Sequence, residues 1–414
     1  MPEKIVITGL GVLAPNAKGK EDYWNALQEG RPGYGPVKLF DASEFNVNIA
    51  GEVPDFDATE YLGKKGLRTM DRATRLVVCA AKLLMQDAGY GDKISEELTD
   101  DFGVSVGTTL GSLKSIAEFD EVTLREGPRY VNPALFPNTV INAPASHISI
   151  WFNIQGFNST LSNGFTTSID AMEYGYDFID SDRVKVVFGG GVEEMCWHTF
   201  FGFHTLKYLS GSKEGEPFVN CPFDKRRNGI VFGEGALLVG LEDLDFAKRR
   251  GAKIMADVTA FGYEFDPFRL HKFNPRAVGM KNSIRKALDE ADMSPSDIDV
   301  IFANANSTQA ADRIETFAIK EVFGAAAKKV PVTAIKSMIG ETYSVSGAMA
   351  VGAALGAMER GFIPPTINYK EPDPECDLNI IANKAVKADI KNAMIMNFSP
   401  SGANMCMIIR KWED

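Results

Sequence analysis

A layered α/β fold is the architecture this sequence predicts, on three observations. Short apolar runs recur along the chain and end in small-residue turns. Helical apolar periods fill the intervals between them. No low-complexity tract or long linker separates one stretch from another. Helices alternating with buried strands must cover sheets to hide both apolar surfaces.

The first strand is expected at 5–9, where Ile5-Val6-Ile7 leads into Gly9-Leu10-Gly11. Others are expected at 102–106 before Gly107, at 184–188 before Gly189-Gly190-Gly191, and at 300–303, 330–335 and 393–396. Helical patterns occupy 73–88 and 275–291. A polar break, Arg249-Arg250-Gly251-Ala252-Lys253, divides the chain into expected halves of 1–251 and 252–414. Each half holds a strand expected to end in a small-residue loop, at 189–191 and at 399–404, a parallel that hints at duplication without a visible sequence repeat.

Composition narrows the functions. With 414 residues, 45% hydrophobic and 24% charged, the chain can bury a core without disulfides or a structural metal. Its five cysteines (Cys79, Cys196, Cys221, Cys376, Cys406) form no C-x-x-C pair, which suits a reducing cytoplasm. Met1-Pro2-Glu3-Lys4 runs into an apolar strand rather than a signal segment, and no apolar run approaches the roughly 20 residues of a membrane span. A net charge of −11 argues against a nucleic-acid surface. One basic cluster, Lys64-Lys65-Gly66-Leu67-Arg68, reads either as a solvated helix face or as a docking patch for an acidic partner.

Several segments resemble the β-ketoacyl synthases that elongate chains on a carrier protein. Residues 5–11 (IVITGLG) resemble their first strand and turn; Pro222-Phe223-Asp224, Arg227 and Gly229, followed by Gly233-Glu234-Gly235, resemble PFD-x-x-R-x-G and GEG. Lys336-Ser337-Met338-Ile339-Gly340 resembles KS-x-x-G, and Gly402-Ala403-Asn404 resembles GG-x-N. The matches keep the family's order over nearly the whole chain. The resemblance implies a thiolase-like fold, five-layered αβαβα from two duplicated halves, and an obligate dimer.

Decarboxylative condensation needs a thiolate whose pKa a helix N-terminus lowers, imidazoles beside the enolate, and backbone donors for the oxyanion. The family supplies a Cys in T-x-C, a His in NAHGT and a His after KS-x-x-G. Here Ser159-Thr160-Leu161-Ser162 places Ser162 at the cysteine. Counting back from Asp312 and Glu315, which match D-x-x-E, places Asn304 at the first histidine; Glu341 follows Gly340 at the second. In the closing loop Ser399 replaces a glycine and Pro400 the gating phenylalanine. No catalytic residue of the family remains at these positions. Ser162 lacks an obvious base, since His147, His198, His204 and His271 all fall outside the catalytic segments.

Ketosynthase-like chains that keep the fold and lose the triad resemble chain-length factors of type II polyketide synthases. Such a subunit pairs with an active ketosynthase and shapes the tunnel at their interface. Those factors usually carry Gln at the nucleophile position, from which Ser162 departs. The resemblance places Leu113, Ile116 and Asp120 on the helix flooring that tunnel, and Leu135, Phe136 and Thr139 at the interface. By spacing alone, Leu113, Ile116 and Phe119 read as core. Lys336 and Glu315 are expected to form a buried structural pair, and Lys64, Lys65 and Arg68 to meet an acyl carrier protein. Asp224 and Arg227 are expected to hold a turn. Cys196-x-His198 lacks a second ligand pair, and Gly189–Gly191 lacks a phosphate loop's Gly-Lys-Ser/Thr, so neither a metal nor a cofactor is implied. The expectation is a catalytically silent, cytoplasmic chain-length-factor subunit. Its rivals are a serine-dependent acyltransferase or ketosynthase using Ser162 and a non-catalytic carrier-protein scaffold.

Overall fold

The computed structural model describes residues 4–413; Met1, Pro2 and Glu3 of the sequence reading lie outside the described residues. Strands β1 (Ile5–Ala14), β2 (Phe102–Gly107), β3 (Phe157–Leu161), β4 (Val186–Glu193) and β5 (Gly235–Asp243) come first. After a short helix at Leu244–Arg249 follow β6 (Ala256–Phe265), β7 (Val300–Phe302), β8 (Pro331–Thr333), β9 (Asn392–Phe398) and β10 (Ala403–Lys411). The same topology appears twice. In space the first set runs β3-β2-β4-β5-β1 and the second β8-β7-β9-β10-β6. In each set the first three strands are parallel and the last two antiparallel. A short antiparallel pairing of Val6 with Asp257 and of Ile7 with Ala256 joins them.

Helices α1 (Arg72–Asp87), α2 (Leu113–Arg125), α3 (Ala143–Phe152) and α4 (Thr167–Asp180) belong to the first half; α5 (Val278–Glu290), α6 (Gln309–Phe323) and α7 (Ser346–Arg360) belong to the second. Period-two alternation along each strand sorts its side chains into different cores. On β5, Leu237, Val239 and Leu241 join the central core, whereas Ala236 and Leu238 face α1 and α3. On β9, Ala393 and Ile395 point to the centre, and Met394, Met396 and Phe398 point toward α5 and α6. α4 and α7 fill the middle layer, which completes α-β-α-β-α. Small residues let that layer close: a Cβ on Gly347 would stand 2.6 Å from Ile169 of α4, and one on Gly352 2.6 Å from Leu237.

Expected elements match in place more than in extent. The strand expected at 184–188 runs Val186–Glu193, so Gly189–Gly191 are strand and not loop. Their smallness serves packing: a Cβ on Gly191 would lie 2.9 Å from the Gly107 carbonyl oxygen and 3.0 Å from Ser168. The turn at 399–402 does form, between β9 and β10. Leu113, Ile116 and Phe119 are not core, since α2 has no buried residue. No helix among the described residues is long and apolar enough to cross a membrane.

Candidate functional site

Parallel strands deliver their C-terminal ends to one side of a sheet, and the altered positions of the sequence gather there. β7 ends at Phe302, two residues before Asn304. β8 leads into a short helix at Lys336–Ile339, which Gly340 closes at φ 74°; a Cβ there would stand 2.6 Å from the Val231 carbonyl oxygen. Glu341 follows, its N–H donating to Val231 at 2.7 Å and its carbonyl accepting from Gly233 at 2.9 Å. That clamp fixes its carboxylate inward, 1% exposed.

Lys336 Nζ donates to Glu341 Oε2 at 2.9 Å and to Asn304 Oδ1 at 2.8 Å. Asn306 Nδ2 donates to Glu341 Oε2 at 3.0 Å, and the Tyr343 N–H to Oε1 at 3.1 Å. Asn304 Nδ2 donates to the Phe398 carbonyl at 3.2 Å. The pocket therefore centres on a buried ion pair satisfied by amides.

Two sequence expectations change here. The partner of Lys336 is Glu341, not Glu315. Glu315 instead accepts the Asn304 N–H at 2.7 Å, and burial pushes its carboxyl up to about 8. Asn304, found by counting from Asp312, reaches the pocket, but Asn306 is the amide that touches Glu341. Asp312 accepts the N–H groups of Phe223 (2.8 Å) and Asn306 (3.0 Å), and burial pushes it to about 6. The turn role of Asp224 is visible: it accepts from Arg226 Nε at 2.8 Å and from the Lys370 and Glu371 N–H groups at 2.6 and 2.7 Å. Burial works against its charge, yet these donors hold it near 2. Arg227 donates to the Asp224 carbonyl at 2.9 Å and pairs with Asp373 at 2.5 Å.

β3 ends at Leu161, and a 3-10 turn at Gly164–Thr166 begins the helical path into α4. Ser162 precedes that turn, exposed, and its hydroxyl makes no hydrogen bond to a described residue. Phe165 lies within that 3-10 turn, buried, its ring edge-on to Tyr343 at 4.5 Å. Tyr343 also meets Phe203 at 5.5 Å, and Phe203 meets Phe232 at 4.8 Å. These four rings form an aromatic wall on this side of the buried cluster.

The closing loop completes that side. Ser399 and Ser401 share a hydroxyl contact at 2.6 Å, and a Cβ on Gly164 would stand 3.2 Å from Ser399 Oγ. Between them Pro400 has no N–H to offer an oxyanion. Sulfur and imidazole are absent from these hydrogen bonds. The described cysteines are all free and buried; Cys221 adjoins the site through its N–H to Ser307 Oγ at 3.0 Å, and burial pushes its thiol up to about 12. Cys196 leads into the helix Trp197–Thr205, donating its N–H to Thr199 at 3.0 Å, and the His198 ring lies against Trp197. His204 bonds Asn46 at 2.5 Å.

The residues assigned to a tunnel lie together on the surface. Leu113 and Ile116 are half-buried on α2 and Asp120 is exposed. Leu135 is 43% and Phe136 57% exposed, the latter 6.0 Å from Phe119, while Thr139 Oγ1 donates to the Phe136 carbonyl at 2.8 Å. Lys64, Lys65 and Arg68 are exposed, the lysines in a loop and Arg68 in a 3-10 turn rather than along a helix face. Lys64 and Arg68 line a cleft of about 320 Å³ with Phe56, Asp57, Arg72 and Arg75.

Comparison with known proteins agrees with this architecture. The model of the beta-ketoacyl synthase N-terminal domain matches residues 2–247, and that of the C-terminal domain residues 255–370. The chain is 32% identical over 412 residues to 3-oxoacyl-[acyl-carrier-protein] synthase 2 of Coxiella burnetii, covering 99% of each. It is 35% identical over 392 residues to the tetracenomycin polyketide synthase ketoacyl synthase alpha subunit of Streptomyces glaucescens, covering 92% of this chain and 91% of that one. Among solved structures, the ishigamide ketosynthase/chain length factor matches with TM-score 0.92 and 33% identity over 100% of both chains. A type II polyketide synthase acyl-carrier protein in complex with its ketosynthase matches with TM-score 0.90 and 26% identity, again over 100% of both. Two domain models in sequence order, full-length relatives and one shared fold place this chain in the β-ketoacyl synthase family.

Proposed function

We propose that this chain is a catalytically silent, chain-length-factor-like subunit, which pairs with an active ketosynthase and shapes the tunnel in which a carrier-bound acyl chain grows. One observation carries the reading: the ion pair of Lys336 and Glu341, held by Asn304 and Asn306, is buried beside Tyr343, whose ring packs on Phe165. A phenylalanine cannot accept an acyl group. A carboxylate beside the nascent enolate would oppose its charge, where losing even one oxyanion donor costs about 10²–10³ in rate. The similarity to a solved ketosynthase/chain length factor supports the partner kind, and the acyl-carrier protein complex supports a carrier docking nearby. Lys64, Lys65 and Arg68 suit an acidic carrier, and Ile116 with Leu113 suits a steric stop. The two halves proposed at 1–251 and 252–414 then have separate tasks, one carrying the dimer face and the nucleophile segment and the other the altered histidine segments.

The rival serine-based enzyme loses support from Ser162 itself, which is exposed and has no base bonded to it. The test is intact-mass analysis of the purified chain after incubation with acyl- and malonyl-carrier thioesters, alongside co-purification with a ketosynthase that retains Cys and both His. An unmodified chain that co-purifies supports the reading; an acyl adduct on Ser162 overturns it. A carrier-protein scaffold would co-purify too, but would leave product length unchanged when Ile116 is resized.

A further inference from the structure

α2 carries Leu113 and Ile116 of the proposed tunnel floor, yet none of its residues is buried among the described ones. Its ion pairs, Lys114 with Glu118 and Arg125 with Glu121, stay within the helix, and Phe119 leans on Phe136, which is itself exposed. Packing within this chain therefore does little to fix where Ile116 stands. The helix's own N-cap does no more. Ser112 is buried and caps no N–H, and its hydroxyl has no partner among the described residues.

The missing cap comes from another element. Glu194, directly after β4 and buried, accepts the Lys114 N–H of α2 through Oε1 at 3.1 Å and the Ala73 N–H of α1 through Oε2 at 3.2 Å. Each is the second N–H of its helix, so two helix N-termini converge on one carboxyl. Ser115 of α2 adds a hydroxyl 3.5 Å from Asp71, the N-cap of α1. This anchor is firm. α1 buries Leu76, Val77 and Leu84 in the core of the first half. Glu234 accepts the Met195 N–H at 3.2 Å, the Val53 N–H at 2.9 Å and Arg72 Nε at 2.7 Å, which ties the residue after Glu194 to the start of α1. Glu193 secures the approach to α2. It accepts the N–H groups of Thr109 at 3.2 Å and Leu110 at 3.1 Å, together with the hydroxyl of Ser344, the neighbour of Tyr343, at 2.5 Å.

We propose that Glu194 is a positioning residue for product length: by holding the N-terminus of α2 against that of α1, it sets how far Ile116 reaches into the tunnel, while Glu193 steadies the loop that leads there. The inference rests on the tunnel reading above and names the residue outside the tunnel that fixes its floor.

Two measurements test it. In hydrogen exchange of the purified full-length chain, Glu194→Ala should speed exchange in the first turn of α2 by about tenfold or more, because a buried N–H loses its acceptor, while the flanking strands keep their protection. Glu194→Leu, which fills the space without an acceptor, should do the same and separates the lost bonds from the cavity. Glu194→Gln should restore most of the protection: it keeps one acceptor oxygen and resembles the protonated acid, which burial favours by pushing Glu194 up to about 8. In a complex reconstituted with an active ketosynthase, Glu194→Ala should broaden the range of product lengths. Ile116→Trp should shorten products beside an intact Glu194 and change little beside Glu194→Ala. A residue that only supported overall stability would leave the Ile116 effect the same in both backgrounds. That result, or α2 exchange indifferent to Glu194→Ala and Glu194→Leu, overturns the inference and leaves the tunnel reading standing. Ile116→Trp without effect beside an intact Glu194 overturns the tunnel reading, and this inference with it.

Discussion

Lys336 Nζ lies 2.9 Å from Glu341 Oε2 in a pocket where Phe165 packs its ring on Tyr343, the second residue beyond Glu341. An ammonium and a carboxylate bonded to each other and to two amides have little capacity left for a substrate. These groups exchange hydrogen bonds with one another.

That exchange should register in stability. Glu341→Ala leaves the Lys336 charge buried and unpaired, and is expected to cost about 3–5 kcal/mol. Lys336→Met combined with Glu341→Leu should recover most of the loss, because both charges leave together. Urea unfolding of the single and double variants checks this, with additive losses as the contrary outcome.

Acidity offers a second check. Burial pushes Glu315 and Glu194 up to about 8 and Glu193 to about 7. A carboxyl whose folded pKa exceeds its unfolded value binds its proton more tightly when folded. Its contribution is complete below the unfolded value of about 4 and is lost as pH rises through the folded value. Stability should therefore fall between pH 5 and 8, by up to about 1.4 kcal/mol per pH unit for each such group. Glu315→Gln, which mimics the protonated form, should flatten that slope in denaturation curves across this range.

Restoring sulfur alone should not restore chemistry. Phe165→Cys puts a thiol in the turn before α4, but the surrounding Glu341 carboxylate and the Asn304 and Asn306 amides offer no imidazole, and Pro400 still lacks an N–H. Mass spectrometry after incubation with malonyl-carrier thioester should show no decarboxylation above background.

Product length reports on α2. Ile116→Trp should shorten the chains made by a reconstituted complex and Ile116→Ala should lengthen them, each read by mass spectrometry of released products. Equal product profiles would remove Ile116 from the tunnel.

The sequence revealed the fold because strands buried on both faces are apolar along most of their length, as at β1 and β4. It misled at Gly189–Gly191 because a glycine needed for close packing looks like one needed for a turn. Asn304 and Glu341 were readable because fixed motifs flank them. Phe165 was not, because its contact with Tyr343 joins two segments far apart in the sequence. The pairing of Lys336 with Glu341 depends on where a side chain turns after Gly340, which motif spacing does not encode. Likewise α2 has an apolar period, but Leu113, Ile116 and Phe119 are only half-buried, which periodicity does not encode.

The most direct measurement follows acyl transfer inside a complex of this chain with an active ketosynthase. After brief incubation with isotope-labelled acyl- and malonyl-carrier thioesters, each subunit is weighed intact. Label on the partner's cysteine and none on this chain is the predicted result. Label on this chain that survives loss of the partner's cysteine would contradict it.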